Sequence, residues 1–206
     1  MSKVIIEKNG PVKTVWMNRP EKKNALDSEL LSNMIDALQA PVAADDRVIV
    51  IRGKGTVFCA GLDMAERSKT AGAGKASGIE IMLRAIELCP LPVVAVVHGD
   101  AIAGGNELAL HCDIVVASQT ARFGMSLAQV GLAPNWFLAK KLMEVLGPVT
   151  TREMLLLGMG PVYSGLFNVP LNRFYPHLAA GIILWHFFVA SITEGCQVFI
   201  TAAPWL

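Results

Sequence analysis

The sequence has little charge, few aromatic side chains and no clustered cysteines. Asp, Glu, Lys and Arg make up 17% of the 206 residues, below the roughly 25% typical of soluble domains, and aromatic residues make up 7%. The net charge is +1 and no basic run is present, so nothing indicates binding to nucleic acid or to an anionic membrane surface. The first eight residues contain no long apolar stretch, and a secretory signal is therefore not predicted.

The spacing of the four cysteines argues against two kinds of functional site. They lack the spacing of a zinc or disulfide-exchange site and lie at Cys59, Cys89, Cys112 and Cys196. We interpret them as small buried apolar residues of a protein in a reducing compartment, by default the cytoplasm. No metal site is predicted.

The charge that is present is unevenly distributed. Of the 18 Lys and Arg and the 17 Asp and Glu residues, only Arg173 and Glu194 lie beyond residue 158. Residues 175–193 contain no charged side chain at all. This shift predicts a domain over residues 1–158, long enough to bury a sizeable core, followed by a hydrophobic segment over residues 159–206.

Hydrophobic periodicity predicts strands that alternate with helices. Two short strands around Asn9-Gly10 are typical of a β-hairpin, and Asp27 is placed to cap the next helix. The apolar runs at 48–52 and 92–98 are typical of strands buried on both faces. Further strands are predicted at 113–117 and 121–123, and helices over about 28–40, 78–88 and 136–146 and from Gly104. This order indicates a layered α/β domain with mostly parallel strands.

One segment carries the groups that enolate chemistry needs. An apolar strand ends at His98, and Gly104 and Gly105 then open a helix whose first turn contains Glu107. Backbone N–H groups at a helix N-terminus are unpaired and lie at its positive end, where they can hold a developing oxyanion. A carboxylate just beyond them can take or give a proton.

A second segment follows the predicted strand at 48–52. Ala60 and Gly61 are small enough for a backbone N–H to approach a ligand closely, and ligands bind at the carboxyl ends of strands in open α/β sheets. Taken alone, the segment is more typical of an ordinary tight strand-to-helix loop. Together with Gly104, it can supply two donors to one oxygen atom.

At this point the chain resembles the enoyl-CoA hydratase/isomerase (crotonase) superfamily over about residues 3–158. Five motifs coincide in order and spacing: NRPEKKNAL at 18–26, FCAGLD at 58–63, HGDAIAGGNELA at 98–109, CDIVVAS at 112–118 and ARFG at 121–124. The resemblance implies a crotonase-like ββα spiral with a truncated or divergent C-terminal region. It also implies a homotrimer or hexamer, although the tail contains no recognisable counterpart of the helices that build one.

The resemblance assigns roles to individual residues. The N–H groups of Ala60 and Gly104 would form an oxyanion hole around the carbonyl of an acyl-CoA thioester, and Glu107 would act as acid and base. Coenzyme A is part of the substrate, so no separate cofactor is implied. The remaining residues expected to contact substrate are Gly61, Leu62, Asp63, Gly105, Leu127 and, near the phosphates of coenzyme A, Lys22 and Lys23.

Two departures from the family pattern leave the reaction open. Leu127 stands where family hydratases have a second glutamate, and a leucine cannot move a proton. Hydration on one carboxylate, isomerisation or another enolate reaction, and binding of acyl-CoA without turnover all remain candidates. Residues 159–206 match nothing in the family, which fits a frameshift or sequence error, a divergent closing segment or a membrane-associated tail.

Overall fold

The computed structural model describes residues 2–66 and 78–158. Contacts divide the chain into two compact units, Met1–Gly124 and Met125–Leu206. The predicted boundary near residue 158 coincides with the end of the described residues, and the two-domain division at that point stays a prediction. The second half of the predicted loop at 53–76 also lies largely outside the described residues.

The described residues of the first unit form a five-stranded sheet and a two-stranded sheet. The five strands lie in the order β1-β2-β3-β4-β6, and β5 pairs with β7. β1 and β2 form the predicted antiparallel hairpin, with Asn9 opposite Val12, and all other pairings are parallel. The strands are β1 Val4–Asn9, β2 Val12–Met17, β3 Val48–Gly53, β4 Val93–Val97, β5 Asp100–Ile102, β6 Ile114–Ala117 and β7 Arg122–Gly124. The prediction of mostly parallel strands is confirmed.

The prediction that β3 and β4 are buried on both faces is wrong. In β3, Ile49 and Ile51 are buried whereas Val50 and Arg52 are half-buried, and β4 alternates in the same way. The edge strand β6 is exposed along its whole length. One face of β3 and β4 is thus buried and the other is half-buried in the described structure, and an apolar run alone does not predict this difference.

Three helices of the first unit lie where the sequence predicts them. They are α1 Ser28–Gln39, α2 Gly78–Glu87 and α3 Gly104–His111. The Asp27 side chain accepts a hydrogen bond from the Leu30 N–H at 2.9 Å, which confirms the predicted cap of α1. A short 3₁₀ helix, Pro20–Lys22, was not predicted. Cys59 and Cys112 are buried apolar side chains, as predicted, while Cys89 is half-exposed.

The short strand β5 is the part of the first unit that matters most for the site. It leads through Ala103 into α3, and it pairs on one side with β7 and on the other with Cys59. No strand is predicted here from the sequence, because three residues are too few to show a strand periodicity. β5 therefore brings the Cys59 segment and the start of α3 together.

The second unit is described only as far as Gly158. It contains a 3₁₀ turn, Ala128–Val130, and the helical segment α4, Trp136–Leu157, which Asn135 caps. Gly147 breaks the helix with φ 73° and ψ 169°, and Pro148 follows. The predicted helix at 136–146 is the part before this break. Within residues 2–66 and 78–158, no helix is long and apolar enough to cross a membrane.

Candidate active site

Glu107 lies in the first turn of α3 with its carboxyl group inside the protein. The residue is 1% exposed, and neither carboxyl oxygen has a hydrogen-bond partner among the described residues. Burial raises the pKa of this carboxyl from 4.5 to about 8, because the charged form loses its hydration. A group with this pKa can both give and accept a proton near neutral pH, as general acid–base catalysis requires.

The two glycines that open α3 present backbone amides to the same region. No backbone carbonyl of the described residues accepts from the N–H of Gly104 or Gly105, as is usual in the first turn of a helix. A Cβ on Gly105 would lie 2.1 Å from the Cys59 carbonyl oxygen. Glycine is therefore required at Gly105 for close packing, and the Gly104 amide is free at the positive end of the helix dipole.

Ala103 precedes these glycines in a conformation that alanine rarely adopts. Its φ is 48° and its ψ is −114°. Such a backbone costs a non-glycine residue on the order of 1–3 kcal/mol. The Ala103 N–H donates to the Gly124 carbonyl at 2.8 Å, which holds the turn against β7. The strained residue directly precedes Gly104 and so sets the direction of the Gly104 amide.

The structure corrects the expectation for Ala60. Its N–H donates to the carbonyl oxygen of Lys23 at 3.0 Å, so this amide is already paired. Lys23 and Asn24 both have left-handed backbones, with φ of 54° and 53°, and this turn directs the Lys23 carbonyl toward Ala60. Small side chains at 60 and 61 indicated a close approach to the backbone, but the approaching group is another loop.

The free amide of this segment belongs to Leu62. The Leu26 N–H donates to the Gly61 carbonyl at 2.7 Å, and the Leu26 carbonyl accepts from the Asp63 N–H at 3.0 Å. No backbone carbonyl in the described part of the chain accepts from the Leu62 N–H. Because C=O and N–H point to opposite sides of a planar trans peptide, the Leu62 N–H points away from Leu26.

Gly61 brings the two amide segments into contact. It has a φ of 88°, and a Cβ there would lie 2.9 Å from the Gly104 nitrogen and 2.9 Å from the Ile102 carbonyl oxygen. Only glycine combines that φ with so close an approach. The Gly61–Leu62 peptide therefore lies beside the start of α3, near the free Gly104 amide.

Asp63 does not extend a free carboxylate toward a ligand. Its Oδ2 accepts from the Arg19 guanidinium at 2.7 Å and its Oδ1 from the Ala65 N–H at 3.0 Å. The hydrogen bond from Arg19 is the main cause that lowers the pKa of Asp63. Asp63 is thus an ionised group that joins two loops.

The structure describes the positions of the other residues expected to contact substrate, but not their contacts with it. Lys22 and Lys23 are exposed at the end of the 3₁₀ helix, and their contact with phosphates stays a prediction. Leu127 is half-buried and directly precedes the 3₁₀ turn of the second unit. Its predicted contact with substrate likewise stays a prediction.

Two residues that shape this site, Arg19 and Asn24, were not predicted from the sequence. Asn24 is 0% exposed, and its side-chain amide donates to the carbonyls of Lys54, Val57 and Phe58 at 2.8–3.1 Å. Its Oδ1 accepts from the Arg19 N–H at 2.9 Å. Both residues lie in a polar loop, where nothing in the local pattern distinguishes a buried amide from a solvated one.

Comparison with known proteins gives a consistent result. The family model for enoyl-CoA hydratase/isomerase matches residues 7–161. The probable enoyl-CoA hydratase echA6 of Mycobacterium leprae is 36% identical over 150 residues, which cover 70% of this chain and 60% of that protein. The short-chain-enoyl-CoA hydratase of Clostridium acetobutylicum is 34% identical over 161 residues, covering 75% of this chain and 61% of that protein. The chain thus matches about 60% of the length of these curated relatives.

Solved structures resemble the fold as well. The crystal structure of an enoyl-CoA hydratase from Polaromonas sp. JS666 has a TM-score of 0.70 and 27% identity, and the match covers 98% of this chain and 92% of that one. The enoyl-CoA hydratase/isomerase from Pseudoalteromonas atlantica T6c has a TM-score of 0.69 and 30% identity, over 79% of this chain and 66% of that one.

Proposed function

The chain belongs to the enoyl-CoA hydratase/isomerase family, and on that premise we propose that it acts on an enoyl-CoA thioester through an oxyanion-stabilised enolate. The single observation that carries this proposal is Glu107, a buried carboxyl with no partner among the described residues, one turn along the helix from a free backbone amide. The reaction needs no cofactor beyond the coenzyme A that the substrate carries.

The proposed oxyanion hole consists of the amides of Gly104 and Leu62. Removing or adding a proton at the carbon next to a thioester places negative charge on the carbonyl oxygen. Fixed donors directed at that oxygen contribute about 10²–10³ each in rate. We assign the second donor to Leu62 rather than to Ala60, since the Ala60 N–H already donates to Lys23.

Glu107 is the proposed acid and base. With a pKa of about 8, the Glu107 carboxyl is mostly protonated at neutral pH when the site is empty. When a thioester is bound, the proton would pass between this carboxyl and the α-carbon of the thioester. A positioned carboxyl contributes roughly 10²–10⁴ in rate. We propose that hydration of a 2-enoyl-CoA proceeds on this one carboxyl. The oxygen of a water molecule bonds to the β-carbon, the Glu107 proton goes to the α-carbon, and the carboxylate left behind takes the proton that the water loses.

Isomerisation of an enoyl-CoA is the second candidate, and Leu127 favours it. A single carboxyl can remove a proton from one carbon and return it to another, whereas hydration also has to activate a water molecule. The resemblance aligns Leu127 with the second glutamate of family hydratases, and a leucine cannot assist that water. Binding of an acyl-CoA without turnover is the remaining alternative.

Two spectroscopic assays on the same protein separate these reactions. Hydration of crotonyl-CoA removes the absorbance of the conjugated thioester, while isomerisation of a 3-enoyl-CoA creates it. We expect at least one of the two activities, and we expect Glu107→Gln to lower it by about 10²–10⁴. Turnover that is unchanged in Glu107→Gln contradicts the proposed role of Glu107. A folded wild-type protein that binds acyl-CoA but shows neither activity is a binding protein.

A further inference from the structure

Resting on the proposed function, we propose that Arg19 is a positioning residue for the reaction. Its guanidinium holds the Leu62 amide in place by bonding to Asp63 and to the loop that pairs with Asp63. Asp63, expected from the sequence to contact substrate, acts instead within the protein. Neither side chain touches the reacting atoms.

The contacts of Arg19 support this assignment. One nitrogen, Nη1, donates to Asp63 Oδ2 at 2.7 Å and to the Ala25 carbonyl oxygen at 2.9 Å. The Nε atom lies 3.4 Å from Asp27 Oδ2. The Arg19 side chain is 13% exposed, and that of Asp63 is 16% exposed, so water screens their ion pair little compared with a surface pair.

The geometry shows how these contacts reach Leu62. Ala25 and Asp63 each adjoin a residue of the parallel bridge between Leu26 and Leu62. Leu26 holds the Gly61 carbonyl and the Asp63 N–H, on either side of Leu62. Arg19 therefore joins the two backbone segments whose pairing fixes the plane of the Gly61–Leu62 peptide.

An arginine is suited to this position and a lysine is not. The planar guanidinium presents several N–H groups in a fixed arrangement, so it can bond Asp63, Ala25 and Asp27 together. A lysine keeps the charge but reaches fewer of these acceptors in defined directions. Arg19→Lys therefore keeps the positive charge and tests whether the directed hydrogen bonds of the guanidinium are needed.

The experiment compares Arg19→Lys and Asp63→Asn with the wild type, using the full chain. Asp45→Asn is the matched control, since Asp45 also pairs with a cation, Lys8, at 2.6 Å, and has no contact with the site. The first readout is the infrared stretch of the ¹³C-labelled thioester carbonyl of bound butyryl-CoA, which has no double bond to hydrate. The second is kcat and KM for whichever enoyl-CoA the wild type converts, with thermal unfolding as a check on folding.

We expect the wild type and Asp45→Asn to lower the carbonyl frequency on binding. Arg19→Lys and Asp63→Asn should show a smaller shift and a kcat reduced by about tenfold or more, with KM changed by less than about threefold. The double variant should lose little more than either single one, because both act through one ion pair.

Other outcomes overturn the proposal in distinguishable ways. A shift in the wild type that both variants retain in full excludes the positioning role while leaving the proposed function intact. Loss of acyl-CoA binding with kcat unchanged assigns Asp63 to substrate contact instead. If both variants unfold, the ion pair serves folding only and the positioning role is rejected. A wild type without any shift contradicts the proposed oxyanion hole itself, and the role of Arg19 with it.

Discussion

The two segments that meet at the candidate site are held in different ways. The start of α3 is shaped locally, by a strained Ala103 and by two glycines within the same turn. Residues 59–63 take their shape from groups more than 30 residues away in sequence, chiefly Leu26 and Arg19. A donor amide can thus be positioned either by its own sequence or by a distant loop, and the consequences of mutation differ.

The pH dependence of stability should differ most between the two segments. The pKa of Glu107 is raised from 4.5 to about 8, so between these values the unfolded chain loses a proton that the folded protein keeps. The free energy of unfolding should therefore fall as pH rises from 4.5 to 8, by at most about 1.4 kcal/mol per pH unit. Urea unfolding at several pH values measures this slope.

One variant serves as the control for that slope, and Asp63 provides the contrast. Glu107→Gln should remove the slope, and a slope unchanged in this variant would show that the group does not titrate as a buried carboxyl. Asp63 should act in the opposite direction, because Arg19 lowers its pKa. Its stabilising contribution is present above its ordinary pKa of 3.8 and is lost as pH falls below that value.

Asn24→Ala should destabilise the loop that leads into residues 59–63, although Asn24 lies about 30 residues earlier in the sequence. The substitution leaves the carbonyls of Lys54, Val57 and Phe58 without their buried donor, at a cost of roughly 2–4 kcal/mol in the free energy of unfolding. Chemical denaturation measures this cost. Asn18→Ala is the control, because the Asn18 amide donates to Ser2 in an exposed position. Equal effects in the two variants would argue against Asn24 as the centre of this loop.

Gly105→Ala should disturb the start of α3 from within. A Cβ at Gly105 would lie 2.1 Å from the Cys59 carbonyl oxygen. The backbone of one of the two segments therefore has to move, which should lower the free energy of unfolding by about 1–3 kcal/mol. Gly78→Ala is the matched control in the first turn of α2, where the nearest atom is the end of the Leu31 side chain at 3.3 Å. Thermal melts in which Gly105→Ala is as stable as Gly78→Ala would refute the close approach.

Ala103→Gly should have the smallest effect and the opposite sign. Glycine adopts a φ of 48° without strain, so the variant should gain about 1 kcal/mol in the free energy of unfolding. Ala109→Gly, inside α3, should instead lose about 1 kcal/mol. A loss in Ala103→Gly comparable to that in Ala109→Gly would show that Ala103 is not strained.

The same contrast explains what the sequence could predict. Glu107 and the Gly104 amide follow from a glycine pair at a helix start, which is a local signal, and the alternation of most strands and helices along the chain follows from periodicity. The roles of Arg19 and Asn24 depend on which loop lies opposite, and no local pattern encodes that. Ala60 was misassigned for this reason, since its small side chain predicts a close approach but not the identity of the approaching group.

The partial burial of β3 and β4 has a related cause. An apolar run predicts that a strand lies inside a sheet, and Ile49 and Ile51 are indeed buried. Whether a second layer covers the other face depends on the placement of further elements. Val50 is half-buried, although the same residue type is fully buried at Val93 and Val97.

The most direct test of the central claim is deuterium exchange at the α-carbon of butyryl-CoA in D₂O, followed by NMR. This substrate has no double bond, so exchange reports proton transfer through the enolate whether the natural reaction is hydration or isomerisation. We expect exchange with the wild type and a reduction of about 10²–10⁴ in Glu107→Gln. Binding of butyryl-CoA by a folded wild type without any exchange would contradict an acid–base role for Glu107.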